Sequence, residues 1–335
     1  MDQNVFNLIR RGVELGTLPN VLRQRLPSSN AFESWCSGQA IYCPSLLKDN
    51  ISRFSSAIHS SHTLMREIVT GDVEVEAVSD MLAARVEKEF DLVSFGFNES
   101  DPQEITSFFF ESLSGNQEDD LWLKLSWLSF DEDDASMRFR FSFGMDFYEI
   151  VADDLRRERL AARLSELIFP ESAIVVESRV LVEKLQQVLQ YNESVEFVER
   201  IVYFNAPNGG AQFHHDYEPG HSGIVYAQLS GQTAWLALPK PVLVKEVASF
   251  LGLDELVVSQ GLDDGDDAIE ALINTDKDFI QNLFAKGYGY ILEAGDVILL
   301  PQADLETCNW HTVFCLGDEE GEALSFALRL ASAHP

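Results

Sequence analysis

The chain has 335 residues and a formal net charge of −31, from 24 Lys and Arg residues against 55 Asp and Glu residues. Hydrophobic residues make up 46% of the sequence, which is enough to bury a substantial core. A surface this acidic repels phosphate backbones and anionic lipids, so nucleic acid and membranes are not expected partners. The charge suits a basic protein or peptide partner, and it equally suits a chain that only has to stay in solution.

The four cysteines, Cys36, Cys43, Cys308 and Cys315, lack the C-x-x-C spacing of a zinc site. They are also too few for the disulfide framework of a small secreted protein. The sequence shows no apolar run of the kind found in signal peptides or membrane spans. These features predict a protein of the reducing cytoplasm.

Residues 1–190 are predicted to form a mixed, mainly helical N-terminal region, with helix and loop dominating the first 105 residues. The segment 121–144 differs, because Phe139, Phe141 and Phe143 alternate with polar residues. This period of two predicts the second arm of a β-hairpin. Elsewhere apolar residues recur at spacings of three and four, as in an amphipathic helix. These helices are predicted over 75–90, 152–168 and 180–189.

From residue 195 onward, short strand-like runs follow one another, separated by Gly, Pro and Asn. Eight such runs suit a small closed or sandwich-like barrel. A helical insert over 242–285 follows the fourth run. The sequence therefore predicts an α+β fold with a barrel domain over 195–335. The predicted strands cover 195–205, 211–217, 223–229, 233–238, 288–292, 296–301, 310–316 and 324–330.

The pair His214 and Asp216 is the sharpest chemical signal in the sequence. On a strand these two side chains share one face, while His215 points to the other. A third ligand must come from elsewhere, and His311 in a late strand is the candidate. Two imidazoles and one carboxylate suit non-haem Fe(II), which needs open positions for O₂ and a co-substrate. The alternative is a hydrogen-bonding pair on a strand, but the preceding Gly-rich turn and the later His favour a metal.

Five motifs follow one another in the C-terminal part of the chain: His214-x-Asp216, 225–231 (VYAQLSG), 235–239 (WLALP), 295–301 (GDVILLP) and His311. Their order resembles that of the JmjC and cupin-like 2-oxoglutarate oxygenases over about residues 195–332. The resemblance implies an eight-strand double-stranded β-helix (a cupin-like or jelly-roll barrel) flanked by helices, with the three residues above as iron ligands. It implies hydroxylation coupled to oxidative decarboxylation of 2-oxoglutarate, on a protein, peptide, amino-acid-like or other small-molecule substrate. It also implies a homodimer that pairs through the flanking helices.

One position departs from that family. A Lys or Arg shortly after the Gly of the fourth strand often binds the far carboxylate of 2-oxoglutarate, and counting from Gly231 this position is Thr233. Arg329 on the last predicted strand is the candidate replacement, because other 2-oxoglutarate oxygenases place an Arg there; the alternative is a surface Arg paired with a carboxylate. Tyr226 is expected to face the pocket, or otherwise to be a core aromatic.

Two other functions stay open. The first is a cupin-type metal enzyme that does not use 2-oxoglutarate, which the neutral Thr233 favours. The second is a non-catalytic cupin-like binding module, against which the complete set of His214, Asp216 and His311 argues.

Overall fold

The protein is described by a computed structural model that covers residues 5–19, 22, 30–71, 75–97, 105–114, 121–128, 135–143, 155–191 and 194–330. Within these ranges it has a mixed α+β fold with sheets of nine, three and two strands. The strands are β1 (Val5–Arg10), β2 (Val13–Pro19), β3 (Ile41–Cys43), β4 (Phe90–Phe97), β5 (Thr106–Ser112), β6 (Leu121–Trp127), β7 (Met137–Phe143), β8 (Val195–Asn205), β9 (Gly223–Ser230), β10 (Gln232–Pro239), β11 (Gly289–Leu292), β12 (Val297–Pro301), β13 (Asn309–Leu316) and β14 (Gly321–Leu330).

Helices lie mainly before β8 and between β10 and β11. None of the described helices combines the length and the apolar character needed to cross a bilayer. The helices are α1 (Ala31–Cys36), α2 (Lys48–Arg53), α3 (Ser55–Val69), α4 (Val75–Val86), α5 (Leu155–Ile168), α6 (Ala173–Val176), α7 (Arg179–Leu189), α8 (Lys240–Leu251), α9 (Glu255–Asp264), α10 (Asp267–Thr275) and α11 (Lys277–Ala285), with a 3-10 turn at Pro170–Ser172.

The nine-strand sheet is antiparallel throughout, in the order β3-β12-β9-β14-β8-β7-β6-β5-β4. The three-strand sheet has the order β11-β10-β13, and β1 and β2 form a separate hairpin. Strands β8, β9, β12 and β14 belong to the nine-strand sheet and β10, β11 and β13 to the three-strand sheet, so the chain passes repeatedly from one to the other. The space between those sheets holds the candidate site.

Strands β10 and β13 of the three-strand sheet and strands β9, β12 and β14 of the nine-strand sheet are buried on both faces, whereas β5 and β7 of the larger sheet keep alternate residues partly exposed. The nine-strand sheet packs one face against helices, and the rings of Phe139 and Phe141 lie 5.0 and 6.0 Å from that of Phe169. The three-strand sheet packs Leu236 and Leu238 against helices α8 to α11. The inner faces of both sheets meet in a third apolar cluster. Burial on both faces explains why β9 and β10 are almost continuously apolar rather than alternating.

The predicted elements beyond residue 120 are largely confirmed. Seven of the eight predicted strands form as β8 to β14; β14 begins three residues early, at Gly321, and the other ends differ by at most one residue. Helices α8 to α11 fill the predicted insert, and α4, α5 and α7 occupy the three predicted helices. The predicted hairpin forms as β6 and β7, although part of its connection, 129–134, falls outside the described residues.

The prediction of mainly helix and loop for the first 105 residues is wrong for β1 to β4. The ladders explain the miss, because register shifts fall between Asn7 and Ile9 in β1 and between Leu92 and Ser94 in β4. Each shift breaks the alternation by which a strand is recognised. In addition, β7 pairs with β8, so one sheet crosses the boundary predicted near residue 190. The division into two domains stays a prediction.

A buried carboxyl pair lies beneath the start of β14. Glu322 and Glu171 are both 0% exposed, and the His62 Nε2 atom lies 3.5 Å from a carboxylate oxygen of Glu322. Burial, followed by the neighbouring Glu171, raises the pKa of Glu322 well above its usual value. Between pH 4.5 and the raised pKa, Glu322 is therefore protonated in the folded protein and ionised in the unfolded chain.

This pair predicts a stability that falls as the pH rises. In the unfolded chain Glu322 titrates near pH 4.5, so above that pH the folded state binds more protons than the unfolded state. The free energy of unfolding should fall by about 1.4 kcal/mol per pH unit up to the folded pKa. Glu322→Gln should flatten this slope in urea unfolding between about pH 5 and pH 8. The exposed Glu319→Gln is the control, and equal slopes in all three proteins would contradict the prediction.

Candidate metal centre

The segment that carries His214 pairs with β13 through an irregular ladder. The predicted strand 211–217 is not regular: Ala211 exchanges two backbone hydrogen bonds with Val313 (3.1 and 3.0 Å), and His214 exchanges two with His311 (3.0 and 2.9 Å). The three residue steps from Ala211 to His214 span the same length of ladder as the two steps from Val313 to His311. One extra residue therefore forms a β-bulge in the His214 segment. Gly210 precedes the bulge with φ +132°, and a Cβ there would meet the Val313 carbonyl oxygen at 2.1 Å. Such bulges re-aim side chains.

Arg10 locks this segment from the other side. Its guanidinium is 2% exposed and lies over the Phe314 ring, 5.0 Å from the centroid. It donates to the Ala211 carbonyl at 3.3 Å and the Asn274 carbonyl at 2.5 Å, and also to Thr312 Oγ1. Burial, followed by repulsion from the neighbouring Arg11, lowers the pKa of Arg10 to about 9, so it remains charged at neutral pH. One buried cation thus ties β1, β13, the bulged segment and α10 together.

His214, Asp216 and His311 converge as the sequence predicts. Their ligand atoms all lie within 4.8 Å of one another. The Nε2 atoms of His214 and His311 lie 3.5 and 3.4 Å from the two carboxylate oxygens of Asp216. His311 is 4% exposed, whereas His214 and Asp216 are 42% and 36% exposed toward the cavity. The backbone bridge between His214 and His311 holds the two imidazoles at a fixed spacing.

The protonation pattern of these three groups fits a bound cation. Nδ1 of His214 lies 2.7 Å from the Gln212 carbonyl oxygen, which can only accept, so Nδ1 donates there while Nε2 faces Asp216. Burial, followed by the nearby His214, lowers the pKa of His311 to about 3, so His311 is neutral at physiological pH. Burial alone would raise the pKa of Asp216, but the neighbouring His214 and His311 outweigh it and lower that pKa.

The spacing also fits a divalent metal. Ligand bonds of about 2.1 Å place two ligand atoms about 3.0 Å apart at a right angle and about 3.4 Å apart at the tetrahedral angle. The observed 3.4–3.5 Å separations exceed the usual length of a hydrogen bond, about 2.9 Å. A cation between the groups therefore explains their approach better than direct hydrogen bonding does.

His215 lies away from the other two histidines. Its ring packs edge-on against Trp310 at 5.1 Å, and its Nδ1 accepts a hydrogen bond from the Tyr217 backbone at 3.2 Å. It therefore provides an internal control for any test of the metal ligands.

A cavity of about 70 Å³ opens beside the three ligands. At roughly 10–15 Å³ per water position, this space admits a small ligand or several waters. Its walls come from both larger sheets, and the aromatic wall is ordered by Trp235, which stacks on His311 at 5.4 Å and meets Tyr226 at 4.5 Å. The lining residues are Leu128, Arg138, Tyr203, Asn205, Gly210, Ala211, His214, Asp216, Ile224, Tyr226, Trp235, Leu300, His311, Val313 and Ser325.

Thr233 belongs to a hydrogen-bonded network of neutral side chains behind this cavity. Its hydroxyl donates to Gln228 Oε1 at 2.8 Å and accepts from the Trp235 indole at 3.0 Å. The Tyr226 hydroxyl donates to the same oxygen at 3.2 Å and accepts from Asn205 at 3.3 Å. Both hydroxyl donors are therefore engaged. Tyr226 lines the cavity with its ring, but neither it nor Thr233 directs a donor at a ligand in this arrangement.

Arg329 is placed differently from the prediction that it anchors the co-substrate. Its guanidinium pairs with Glu158 of α5 and is 7% exposed, and the cavity lining does not include it. Arg329 stands four residues beyond Ser325, which does line the cavity, and a register shift falls between Phe326 and Ala327. The alternative for Arg329 was a surface Arg paired with a carboxylate; the carboxylate partner is present, but the residue is buried rather than at the surface.

Arg138, Tyr203 and Asn205 are cavity residues that the sequence did not single out. They lie on β7 and β8, and Arg138 pairs in register with Tyr203. Alternation separates Arg138 from the buried Phe stripe of β7, but it does not reveal that β7 lies beside β8. Burial raises the pKa of Tyr203 to about 12, and the raising effect of Asp216 partly offsets the lowering effect of Arg138. The Tyr203 hydroxyl therefore stays protonated.

A second group of possible ligands, Glu199, Glu218 and His221, lies nearby. The Arg140 guanidinium already stands among them, at 2.8 Å from both Glu199 oxygens and 3.3 Å from Glu218. Burial, followed by repulsion from Glu199, raises the pKa of Glu218 to about 7. A side-chain cation thus occupies the position that a metal ion would take, and the group is better described as an ion-pair network.

No known protein-family profile matches the chain. No curated protein is significantly similar to it in sequence. Among solved structures it is similar to the Escherichia coli ribosomal oxygenase YcfD, at 11% identity and a TM-score of 0.31 over 78% of this chain and 45% of that one. A second YcfD structure gives 12% identity and a TM-score of 0.29, with 78% and 44% covered.

The chain thus spans less than half the length of these two distant neighbours. Both neighbours are named ribosomal oxygenases. TM-scores near 0.3 do not establish a shared fold, so the geometry around His214, Asp216 and His311 carries the functional proposal.

The three ligands predict one divalent metal per chain. His214→Ala and Asp216→Ala should each weaken Mn(II) or Fe(II) binding by about 100-fold or more, since even outer partners of metal ligands cost 10- to 100-fold. His215→Ala should bind nearly as the parent does, because that ring faces Trp310. Anaerobic titration with metal analysis gives the stoichiometry. Equal losses in His214→Ala and His215→Ala would refute this ligand set.

The Arg10 clamp predicts a remote effect on the same site. Arg10→Met should lower the free energy of unfolding by about 3 kcal/mol, because the buried acceptors of Arg10 lose their donor. It should also weaken metal binding by about 10-fold through the loosened His214 segment. The exposed Arg53→Met is the charge-matched control. Metal affinity unchanged in Arg10→Met under conditions where it is fully folded would show that the clamp does not position His214.

Proposed function

We propose that this protein is an Fe(II)- and 2-oxoglutarate-dependent oxygenase that hydroxylates a protein, peptide or amino-acid-like substrate. The observation that carries the proposal is the convergence of two imidazoles and one carboxylate, His214, Asp216 and His311, at the wall of a cavity. This donor set with open positions is typical of non-haem Fe(II) oxygenases.

The strand order supports the same proposal. Beginning with β8, successive segments belong alternately to the nine-strand and three-strand sheets, with the bulged His214 segment pairing onto β13 as a further strand. After β10 the chain forms β11 in the same sheet, and then alternation resumes. That is the path expected of a double-stranded β-helix, in which ligands from the second and seventh strands meet.

The chain's own groups would divide the work as follows. His214 and His311, held by their backbone bridge, and the ionised Asp216 would hold the metal from one side. Apolar residues on the opposite wall, including Ile224 and Leu300, would limit the access of water. When bound, Fe(II) would supply O₂ activation that couples oxidative decarboxylation of 2-oxoglutarate to hydroxylation of a C–H bond.

The exposure of the ligands suggests how a substrate would approach. His311 is deeply buried, whereas His214 and Asp216 are partly exposed, so the open side of the site faces outward past the latter two. A side chain of a larger substrate could reach the metal from that side. The strongly acidic composition favours a partner with basic character.

A second candidate is a cupin-type metal enzyme that does not use 2-oxoglutarate. The specific observation in its favour is the closed neutral network around Thr233, where the related oxygenases place a cation. In that case the metal would be retained and the dicarboxylate would not bind.

The proposal predicts that the Fe(II)-loaded chain converts 2-oxoglutarate to succinate under O₂ with ascorbate present. Asp216→Ala should lose about 100-fold or more of this turnover, whereas His215→Ala should stay within a few-fold of the parent. Succinate formation can be followed by mass spectrometry. Tight metal binding without succinate would favour the second candidate, and absence of metal binding would favour a non-catalytic module.

A further inference from the structure

A dicarboxylate in this cavity needs a cation at its far end. A carboxylate removed from water is costly unless it is paired with a charge and hydrogen-bonded. The position after Gly231 supplies only Thr233, whose hydroxyl is engaged with Gln228 and Trp235. If the proposed function holds, on which this inference rests, another residue must therefore provide the charge.

Three cations near the site, Arg140, Arg329 and Lys240, lie outside the cavity lining and face carboxylates. Arg140 contacts both oxygens of Glu199, and Arg329 pairs with Glu158. Lys240, on the far side of His215, lies 2.8 Å from Asp263. None of these three residues lines the metal cavity.

Arg138 differs because it lines the metal cavity itself. It is the only Lys or Arg among the described residues of the lining. Its Nε donates to the Ser126 hydroxyl at 2.9 Å, and this contact helps to orient the guanidinium. Arg138 pairs in register with Tyr203, so a protonated hydroxyl stands beside it on the same wall.

The strand that carries Arg138 is fixed at its start. The buried Ser136 hydroxyl accepts a hydrogen bond from the Ala206 backbone at 3.0 Å, and the Leu128 backbone donates to the Ser136 carbonyl at 2.8 Å. These contacts hold β7 in register with β6 and β8. The guanidinium therefore stands on a rigid sheet rather than on a loop, as positioning of a small ligand requires.

We propose that Arg138 binds the far carboxylate of 2-oxoglutarate in the metal cavity, with the Tyr203 hydroxyl as a second donor. A guanidinium matches a carboxylate through two parallel hydrogen bonds. This places the anchor on β7, outside the strands β8 to β14 that follow one another around the metal. It replaces the cation that is missing at Thr233.

The test is a titration of the full-length, Mn(II)-loaded chain without turnover. Two ligands are compared, 2-oxoglutarate and 2-oxopentanoate, which has the same carbon chain but a methyl group in place of the far carboxylate. The parent should prefer 2-oxoglutarate by at least about 30-fold. Arg138→Gln should reduce this preference to less than about 3-fold while leaving Mn(II) and 2-oxopentanoate affinity unchanged.

Three matched variants make the result specific. Arg329→Gln and the surface Arg163→Gln each remove one positive charge and should keep the preference. Arg138→Lys keeps the charge but not the paired donors, so its preference should fall between those of the parent and Arg138→Gln. The Lys variant also tests the inference if Arg138→Gln folds poorly. Circular dichroism of each variant establishes that the fold is intact.

The outcomes separate this inference from the proposed function. If the parent prefers 2-oxoglutarate and Arg138→Gln keeps that preference, or if only Arg329→Gln loses it, Arg138 is not the anchor and the oxygenase proposal stands. If Arg138→Gln weakens both ligands equally, the residue acts structurally and the inference fails. If the parent binds Mn(II) but neither keto acid, the inference and the use of 2-oxoglutarate fail together.

Discussion

The backbone bridge between His214 and His311 is the constraint on which the rest of the site depends. Its two hydrogen bonds, of 3.0 and 2.9 Å, join residues that are distant in sequence and set the spacing of two imidazoles. The bulge beside Gly210 turns the His214 side chain, and the buried Arg10 holds the bulge in place. Without a cation between them, the imidazole lone pairs and the Asp216 carboxylate repel one another. The backbone bridge is therefore needed to hold His214, Asp216 and His311 this close.

The two larger sheets supply different parts of the site. The three-strand sheet and the segment paired to it carry the metal ligands, and Trp235 orders the aromatic wall there. The nine-strand sheet carries the polar groups that face them, Arg138, Tyr203 and Asn205. Helices cover the outer faces of both sheets, so the space between the sheets is where the chain can receive a ligand. Three cations outside the cavity lining, Arg140, Lys240 and Arg329, are paired to carboxylates.

Where sequence reasoning failed, a tertiary cause can be identified. Strands β1 and β4 were missed because register shifts interrupt their alternation. The segment 211–217 was predicted as a regular strand, yet it bulges to fit β13. The ion pair between Arg329 and Glu158 of α5 was likewise not foreseen from the strand of Arg329, whose role as an anchor stays a prediction. Each case turns on a neighbour distant in the chain, which local periodicity does not encode.

The sequence by itself determined the strands β8 to β14, the helical insert and the choice of His214, Asp216 and His311 as candidate ligands, because each depends on local spacing that the residues carry themselves. Alternation places His214 and Asp216 together, and a late strand limits the third ligand to His311. Only the tertiary structure decided that β7 joins β8 and brings Arg138 to the cavity. It also decided that Thr233 is engaged in a neutral network. Pairing between distant strands is set by burial and register across the whole sheet, so no local pattern specifies it.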